Sequence, residues 1–256
     1  MAKIVGIEFY DQGIHRAVNV ILNECKTIQK SNRIVSATDA HGIVRSHSER
    51  EFKELLESFY LRLPDGMPTV WVGRIKGHSN MGRCYGPDFF KLVMQTSSTT
   101  PVRHFLCGGK QGIAEQLRRV CSDRFGNNHV VGCYSPPFRD MTDEELRDLA
   151  NQINDTSADI VWIGLGSPKQ EYFARRLSGY IGTHFLVTIG AAFDFHTGNI
   201  KQAPLWVQKL GLEWFFRLCV EPRRLWKRYL YVVPRFFILG MHDIFIYLLH
   251  RRFGRL

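Results

Sequence analysis

Six short, almost unbroken apolar runs alternate with helix-patterned stretches over the first 200 residues, and this alternation limits the fold more than any other feature of the chain. The runs cover residues 34–37, 68–72, 102–107, 130–134, 160–165 and 184–189, and the helical patterns cover 17–29, 49–58, 88–96, 112–125, 143–154 and 170–177. Strands buried on both faces read as continuous apolar runs, and strands alternating with helices imply crossover connections. The expected fold is therefore α/β with a mostly parallel sheet flanked by helices. Thr142 followed by Glu145 three residues later is a capping box that opens the fifth helix. The run at 68–72 has a second reading, as the first turns of a helix after Asp65-Gly66. Met1 leads straight into a strand-like segment, 4–9, without a charged-then-apolar export signal, so a cytosolic location is expected.

With 45% apolar and 23% charged residues, the 256-residue chain is neither a disordered tail nor a small disulfide scaffold. Cys25, Cys84, Cys107, Cys121, Cys133 and Cys219 form no C-x-x-C pair and have no histidine at zinc-finger spacing, which leaves idle thiols in a reducing compartment. The net charge of +10 is local: residues 201–256 hold eleven Lys and Arg against three acids, +8 of the total. There Trp206, Trp214 and Trp226 interleave with Arg217, Arg223, Arg224 and Arg228, and beyond Tyr229 an apolar aromatic text is broken by Pro234, Arg235 and Asp243. Its longest uninterrupted apolar stretch falls short of the roughly 20 residues that cross a bilayer. A basic, aromatic helix pair lying in an anionic membrane interface is expected, with a plain helical hairpin closing the core or a dimer as the alternative. Runs such as Phe236-Phe237-Ile238-Leu239 argue against a nucleic-acid surface. The chain thus divides into a body, 1–204, and a C-terminal helical, basic and aromatic appendage, 205–256.

Open parallel sheets bind ligands beyond the carboxyl ends of their strands, which directs attention to the loops there. Gly166-Ser167-Pro168-Lys169-Gln170-Glu171 joins a glycine turn to a helix start carrying a lysine, a setting that favours an anion. Gly108-Gly109-Lys110 is a second phosphate-facing turn, although it lacks the full dinucleotide fingerprint. In Gly190-Ala191-Ala192-Phe193-Asp194, small residues allow close backbone approach and Asp194 can bind a hydroxyl or cap a turn. Asp65 before Gly66, and Thr38-Asp39 after the first run, read either as caps or as catalytic groups. From the residues alone, the chain is an α/β protein with a cleft for a phosphate-bearing small ligand; no reaction follows.

Taken together, these motifs carry a resemblance. Ile163 to Glu171, Gly190 to Asp194 with Gly198, Gln202-Ala203-Pro204, Gly211-Leu212-Glu213-Trp214, Arg217-Leu218, Glu221-Pro222 and Arg228-Tyr229 resemble the WecG/TagA/CpsF glycosyltransferases, glycosyltransferase family 26. Upstream, Thr38, Pro64-Asp65-Gly66, Arg83, Gly86, Asp88 and Gly108 fall in that family's order. The resemblance implies a Rossmann-like domain and inverting, metal-independent transfer of a sugar from a UDP-sugar to a polyprenyl-diphosphate-linked acceptor. It places the work on the inner face of the cell membrane, with the appendage completing the site, and it calls for no cofactor. The absence of a D-x-D pair agrees with the expectation about metal.

By the same resemblance Asp65 is the general base, Thr38 lies near a sugar and Arg83 is a site arginine. Gly108, Gly109, Gly166, Lys169, Gln170, Glu171 and Asp194 belong to the donor pocket, and Arg217, Arg224 and Arg228 reach the diphosphate. Two departures stand out: Asp39-Ala40 follows Thr38 where many members have an asparagine two residues on, and Ser135-Pro136-Pro137-Phe138 replaces a Gly-Tyr-Phe turn. Both leave the donor open between N-acetylmannosamine and a plain hexose such as glucose. A catalytically silent nucleotide-sugar or anionic-lipid binding module is the competing reading, and self-association through the apolar tail is open.

Overall fold

The computed structural model describes residues 1–27 and 29–253. In chain order the elements are β1 (Ala2–Ile4), β2 (Ile7–Phe9), α1 (Ile14–Glu24), β3 (Arg33–Thr38), α2 (Ala40–Ser48), α3 (Arg50–Glu57), β4 (Leu61–Pro64) and α4 (Met67–Ile75). There follow α5 (Gly86–Ser97), β5 (His104–Gly108), α6 (Ile113–Phe125), β6 (Val130–Tyr134), α7 (Asp143–Asp155), β7 (Ile160–Gly164), α8 (Lys169–Leu177) and β8 (Phe185–Thr188). Three short helices, α9 (Ala192–His196), α10 (Leu205–Lys209) and α11 (Glu213–Val220), lead into α12 (Pro222–Phe253).

β1 and β2 form an antiparallel hairpin, while the remaining strands make one parallel sheet in the order β4-β3-β8-β7-β5-β6. From β3 the chain moves out to one edge and from β5 to the other; β7 and β8 then fill the middle. That reversal opens a crevice at the carboxyl ends of the central strands, where such sheets bind ligands.

Each face of the sheet has its own core. On one, Trp162 packs edge-on against Phe90 with ring centroids 4.9 Å apart, among residues of α1, α5, α6 and α9. Its indole Nε1 donates to Nδ1 of buried His104 at 3.2 Å, which burial keeps neutral by lowering the pKa to about 3. On the other face Phe52, Leu146, Leu177 and Ile153 close α3, α7 and α8 over Ile163 and Leu186. The Thr142–Glu145 capping box is present at the start of α7, a feature that stabilises a helix end by about 1 kcal/mol.

Five of the six expected strands are found within two residues of their expected ends, as β3, β5, β6, β7 and β8. The run at 68–72 is not a strand: Pro68 sits in the first turn of α4, so its second reading holds. The strand missing from the expectation is β4, and Arg62 hid it. All four of its residues are buried, and the Arg62 guanidinium donates to the carbonyls of Glu8, Leu56, Glu57 and Phe59, which offsets the cost of burying the charge. Segment 4–9 is a hairpin rather than one strand, turning at Val5 and Gly6 with φ of 48° and 84°. The helix expected at 17–29 ends at Glu24, and Ile28 lies outside the described residues.

The C-terminal expectation of a helix pair also needs correction. α12 is a single helix of 32 residues, about 48 Å long at 1.5 Å per residue, with Pro234 inside it. By length and composition its 222–252 portion is long and apolar enough to cross a membrane. Counting uninterrupted apolar residues missed this, because Arg235 and Asp243 interrupt the run without interrupting the helix. One side of α12 is committed to the protein: Val232 and Phe236 are buried with Ile4, Phe9, Val44 and Val72. The Asp243 carboxylate accepts from Val5 N at 2.9 Å and from Lys76 Nζ at 2.8 Å. The other side leaves Leu230, Phe237, Ile238, Met241, Phe245 and Leu248 exposed at helical spacing. Of the basic residues counted in the sequence, Arg255 lies outside the described residues.

Candidate active site

A cavity of about 1170 Å³ occupies the crevice, and the segments that follow all six strands of the parallel sheet line it. They bring in Thr38 and Asp39 after β3, Asp65 after β4, Gly109 and Lys110 after β5, the 135–141 loop after β6, residues 164–171 after β7, and Ile189 to Asp194 after β8. α11 and α12 add Arg217, Arg224 and Arg228. One glycine contact holds the strand ends together: a Cβ on Gly108, at φ 156°, would lie 2.6 Å from the Gly164 carbonyl oxygen, so only glycine allows β5 and β7 to approach this closely.

Gln170 is buried, and its Oε1 accepts from the backbone N–H of both Gly166 (3.2 Å) and Gly190 (3.0 Å). It therefore ties the loops after β7 and β8 to each other. Lys169 stands at the amino end of α8 with its ammonium 5.0 Å from the Phe138 ring, itself 96% exposed at the cavity edge. That helix end, with Gly166 and Ser167 before it, is a setting for an anion.

Around Asp65 the polar groups are closely matched. Its Oδ1 accepts from Gly86 N at 2.6 Å, and Arg83 Nε donates to its backbone carbonyl at 2.6 Å. Burial pushes the Asp65 carboxyl up to about 7; the Arg83 guanidinium opposes the rise, while the Asp39 and Glu213 carboxylates add to it. Arg83 is itself occupied, donating to Gln208 Oε1 at 3.2 Å and Glu213 Oε2 at 2.5 Å and lying 3.9 Å over the Tyr85 ring. Tyr85 Oη donates to the other oxygen of Glu213 at 2.6 Å.

The arginines of α11 and α12 contrast with this. Nε of Arg217 and Nε of Arg228 are buried without a hydrogen-bond partner, while Arg224 pairs with Glu221 at 2.7 Å. Burial raises the pKa of nearby Asp194, and the charges of Arg224, Lys110 and Arg217 resist the rise. Among the described residues, no group of three or more His, Cys, Asp or Glu is placed to hold a metal ion.

The structure brings Asp65, Thr38, Gly109, Gly166, Lys169, Gln170, Glu171, Asp194, Arg217, Arg224 and Arg228 onto one cavity. Arg83 and Gly108 stand behind it. Asp39 is the cap of α2, accepting from Gly42 N at 3.0 Å. Sequence reasoning gave no role to Glu213, Tyr85 or Gln208; Glu213 was detectable as one of only three acids in a strongly basic segment. Ser36 and Thr188 carried no signal, since both sit inside strands.

A crevice over an open parallel α/β sheet that joins a carboxyl of raised pKa to arginines with buried, unpartnered Nε atoms has the make-up of an enzyme site able to hold an anion beside a proton acceptor. The model of the "Glycosyl transferase WecG/TagA/CpsF family" matches residues 2–249, and the chain belongs to that family. It is similar to the N-acetylglucosaminyldiphosphoundecaprenol N-acetyl-beta-D-mannosaminyltransferase of Bacillus subtilis (strain 168), 30% identical over 208 residues, covering 81% of this chain and 78% of the relative. It is also similar to the protein of the same description in Bacillus spizizenii (strain ATCC 23059 / NRRL B-14472 / W23), 29% identical over 231 residues, covering 90% and 86%.

Proposed function

We propose that the chain is an inverting, metal-independent glycosyltransferase that moves a sugar from a UDP-sugar to a polyprenyl-diphosphate-linked saccharide, with Asp65 as the general base. Inversion takes one displacement: the base removes the proton of the acceptor hydroxyl as that oxygen attacks the anomeric carbon from the face away from the leaving diphosphate. A carboxyl with a pKa of about 7 suits that task near neutrality, and it carries the reading. Arg217, Arg224 and Arg228, with Lys169 and the start of α8, neutralise the departing UDP; the buried Nε atoms of Arg217 and Arg228 have hydrogen bonds to give. Arg83, with its donors engaged by the protein, positions Asp65 and anchors α10 and α11 rather than contacting substrate.

Both relatives carry N-acetylmannosaminyltransferase in their descriptions, which supports N-acetylmannosamine as the donor sugar and a lipid-linked N-acetylglucosamine as acceptor. Asp39-Ala40 after Thr38 keeps a plain hexose in contention. The exposed apolar side of α12, basic at both ends, supports peripheral attachment to the inner face of the cell membrane, with the helix held along the protein by Val232, Phe236 and Asp243 rather than inserted across the bilayer.

A panel of UDP-sugars (N-acetylmannosamine, glucose, N-acetylglucosamine, glucuronic acid, galactose) with a polyprenyl-diphosphate-N-acetylglucosamine analogue, scored by UDP release, tests the proposal. Release with one donor, dependent on the acceptor and insensitive to chelator, is the expected result. Tight UDP binding by calorimetry with no release from any donor overturns it in favour of a binding module.

A further inference from the structure

Behind Thr38 lies a set of buried polar side chains that the proposed chemistry does not use. Ser36, Thr188 and Glu171 are at most 2% exposed, in the layer between β3, β8 and α8. Ser36 Oγ accepts from Thr38 Oγ1 at 3.1 Å and from Thr188 Oγ1 at 3.0 Å, and it donates to Glu171 Oε1 at 3.4 Å. Glu171 Oε1 also accepts from Gln170 Nε2 at 3.0 Å, while Glu171 Oε2 is buried with no partner.

We infer that Glu171 is a positioning residue: it fixes the direction of this hydroxyl chain and so leaves Thr38 able to offer the cavity only hydrogen-bond acceptors. A hydroxyl has one proton. An ionised Glu171 carboxylate can only accept, so Ser36 Oγ and Gln170 Nε2 both donate to its Oε1. Ser36 directs its proton to Glu171 and meets both threonines with lone pairs. Thr38 must then turn its own proton inward, away from the cavity that it lines. A ligand group at Thr38 has to be a donor, either a ring hydroxyl or an acetamido N–H of a sugar, and a diphosphate oxygen is refused. Burial raises the Glu171 carboxyl to about 7, so the direction of the chain is fixed where the carboxyl is ionised, above about pH 7, where binding is to be measured.

The inference rests on reading the cavity as a nucleotide-sugar site, and its test separates the two ideas. Glu171→Met removes the acceptor at similar length, Glu171→Gln retains a carbonyl oxygen, and Ser36→Ala removes the link. Binding is measured by calorimetry for UDP, for UDP-N-acetylmannosamine and UDP-glucose, and for analogues of these sugars lacking one ring hydroxyl or the acetamido group. In the unaltered protein and in Glu171→Gln, deleting the group that meets Thr38 costs about tenfold in affinity. In Glu171→Met and Ser36→Ala that penalty falls to within about twofold, because the Thr38 proton is free to turn outward, while affinity for UDP itself is unchanged in Ser36→Ala, which lies outside the cavity lining. A penalty kept by Glu171→Met, or lost equally by Glu171→Gln, overturns the inference, as does an equal loss for every compound including UDP, which would mark a merely structural role. Ligand-free infrared difference spectra provide the other arm: Ser36→Ala shifts the Glu171 carboxyl band if the chain exists. No shift overturns the chain, whereas a shift in a protein that binds none of the UDP compounds supports the chain and overturns only the nucleotide-sugar reading.

Discussion

Around Asp65, the guanidinium of Arg83 is divided among a backbone carbonyl, Gln208 and Glu213, and Tyr85 completes Glu213. At the junction of α11 and α12, Arg217 and Arg228 each keep a buried Nε with no acceptor. The first cluster is complete without a ligand; the second carries donors whose desolvation costs about 1–3 kcal/mol each unless an anion arrives. On the proposed mechanism, proton transfer is then prepared in the fold itself, whereas charge neutralisation is completed by the substrate.

Substituting Asp65 tests the first half of the comparison most severely. Asp65→Asn is expected to lower transfer by about a thousandfold, within the range for loss of a general base, with UDP affinity unchanged. Wild-type kcat/KM should rise with pH through about 7 as the carboxyl ionises. The stability effect has the opposite sign to that of an ordinary paired aspartate. A folded-state pKa above the unfolded value of 3.8 means that stability falls as pH rises from about 4 to about 7. Asp65→Asn should therefore melt at a higher temperature than wild type at pH 8 and approach it at pH 4; a lower melting temperature at pH 8 would show that the carboxyl is not strained by burial.

Glu213→Ala would turn the complete cluster into an incomplete one. Removing one partner of a buried ion pair costs about 3 kcal/mol, which urea denaturation can read, and kcat should fall with it as Asp65 loses its support. A stable variant with unchanged kcat would break the comparison from that side. On the arginine side, Arg217→Ala and Arg228→Ala should each weaken UDP binding by about tenfold to a hundredfold, as loss of a charge-assisted hydrogen bond or two does, with little loss of thermal stability. Equal losses of stability and affinity would mean that these arginines are structural. Phe237→Glu with Phe245→Glu should have the smallest effect on the isolated protein, within about 0.5 kcal/mol of wild-type stability, because both side chains are exposed. Its effect should appear in sedimentation with anionic vesicles; unchanged pelleting would refute attachment through that side of α12.

The parallel sheet was legible because its central strands are buried on both faces and so read as plain apolar runs. β4 was not, since its charged Arg62 is satisfied by carbonyls contributed from distant segments, a compensation visible only once the chain is folded. The candidate site was legible where the cavity is lined by loops with unusual glycine, proline and lysine spacing, as from Gly164 to Glu171. Glu213 and Ser36 were not, for different reasons: Glu213 acquires its role by reaching across to Arg83, and Ser36 is an ordinary strand residue until its hydroxyl meets three others. In α12 the apolar residues were visible, but a single continuous helix was not, because helical length depends on backbone propensity and packing rather than on an unbroken apolar text.

The hydrogen bond from Val5 N to Asp243 joins the two extremes of the described chain, 238 residues apart. During synthesis the β1–β2 hairpin emerges long before α12 and must wait for it before its apolar underside is covered, a closure of the long-range kind that slows folding. Arg224 and Arg228 emerge in the same late segment, so a nascent or prematurely terminated chain can own a finished sheet, and even Asp65 in place, while lacking part of the cavity wall. Translation order thus acts as a timer: α12, made after every strand of the sheet, both covers the β1–β2 hairpin and completes the cavity wall.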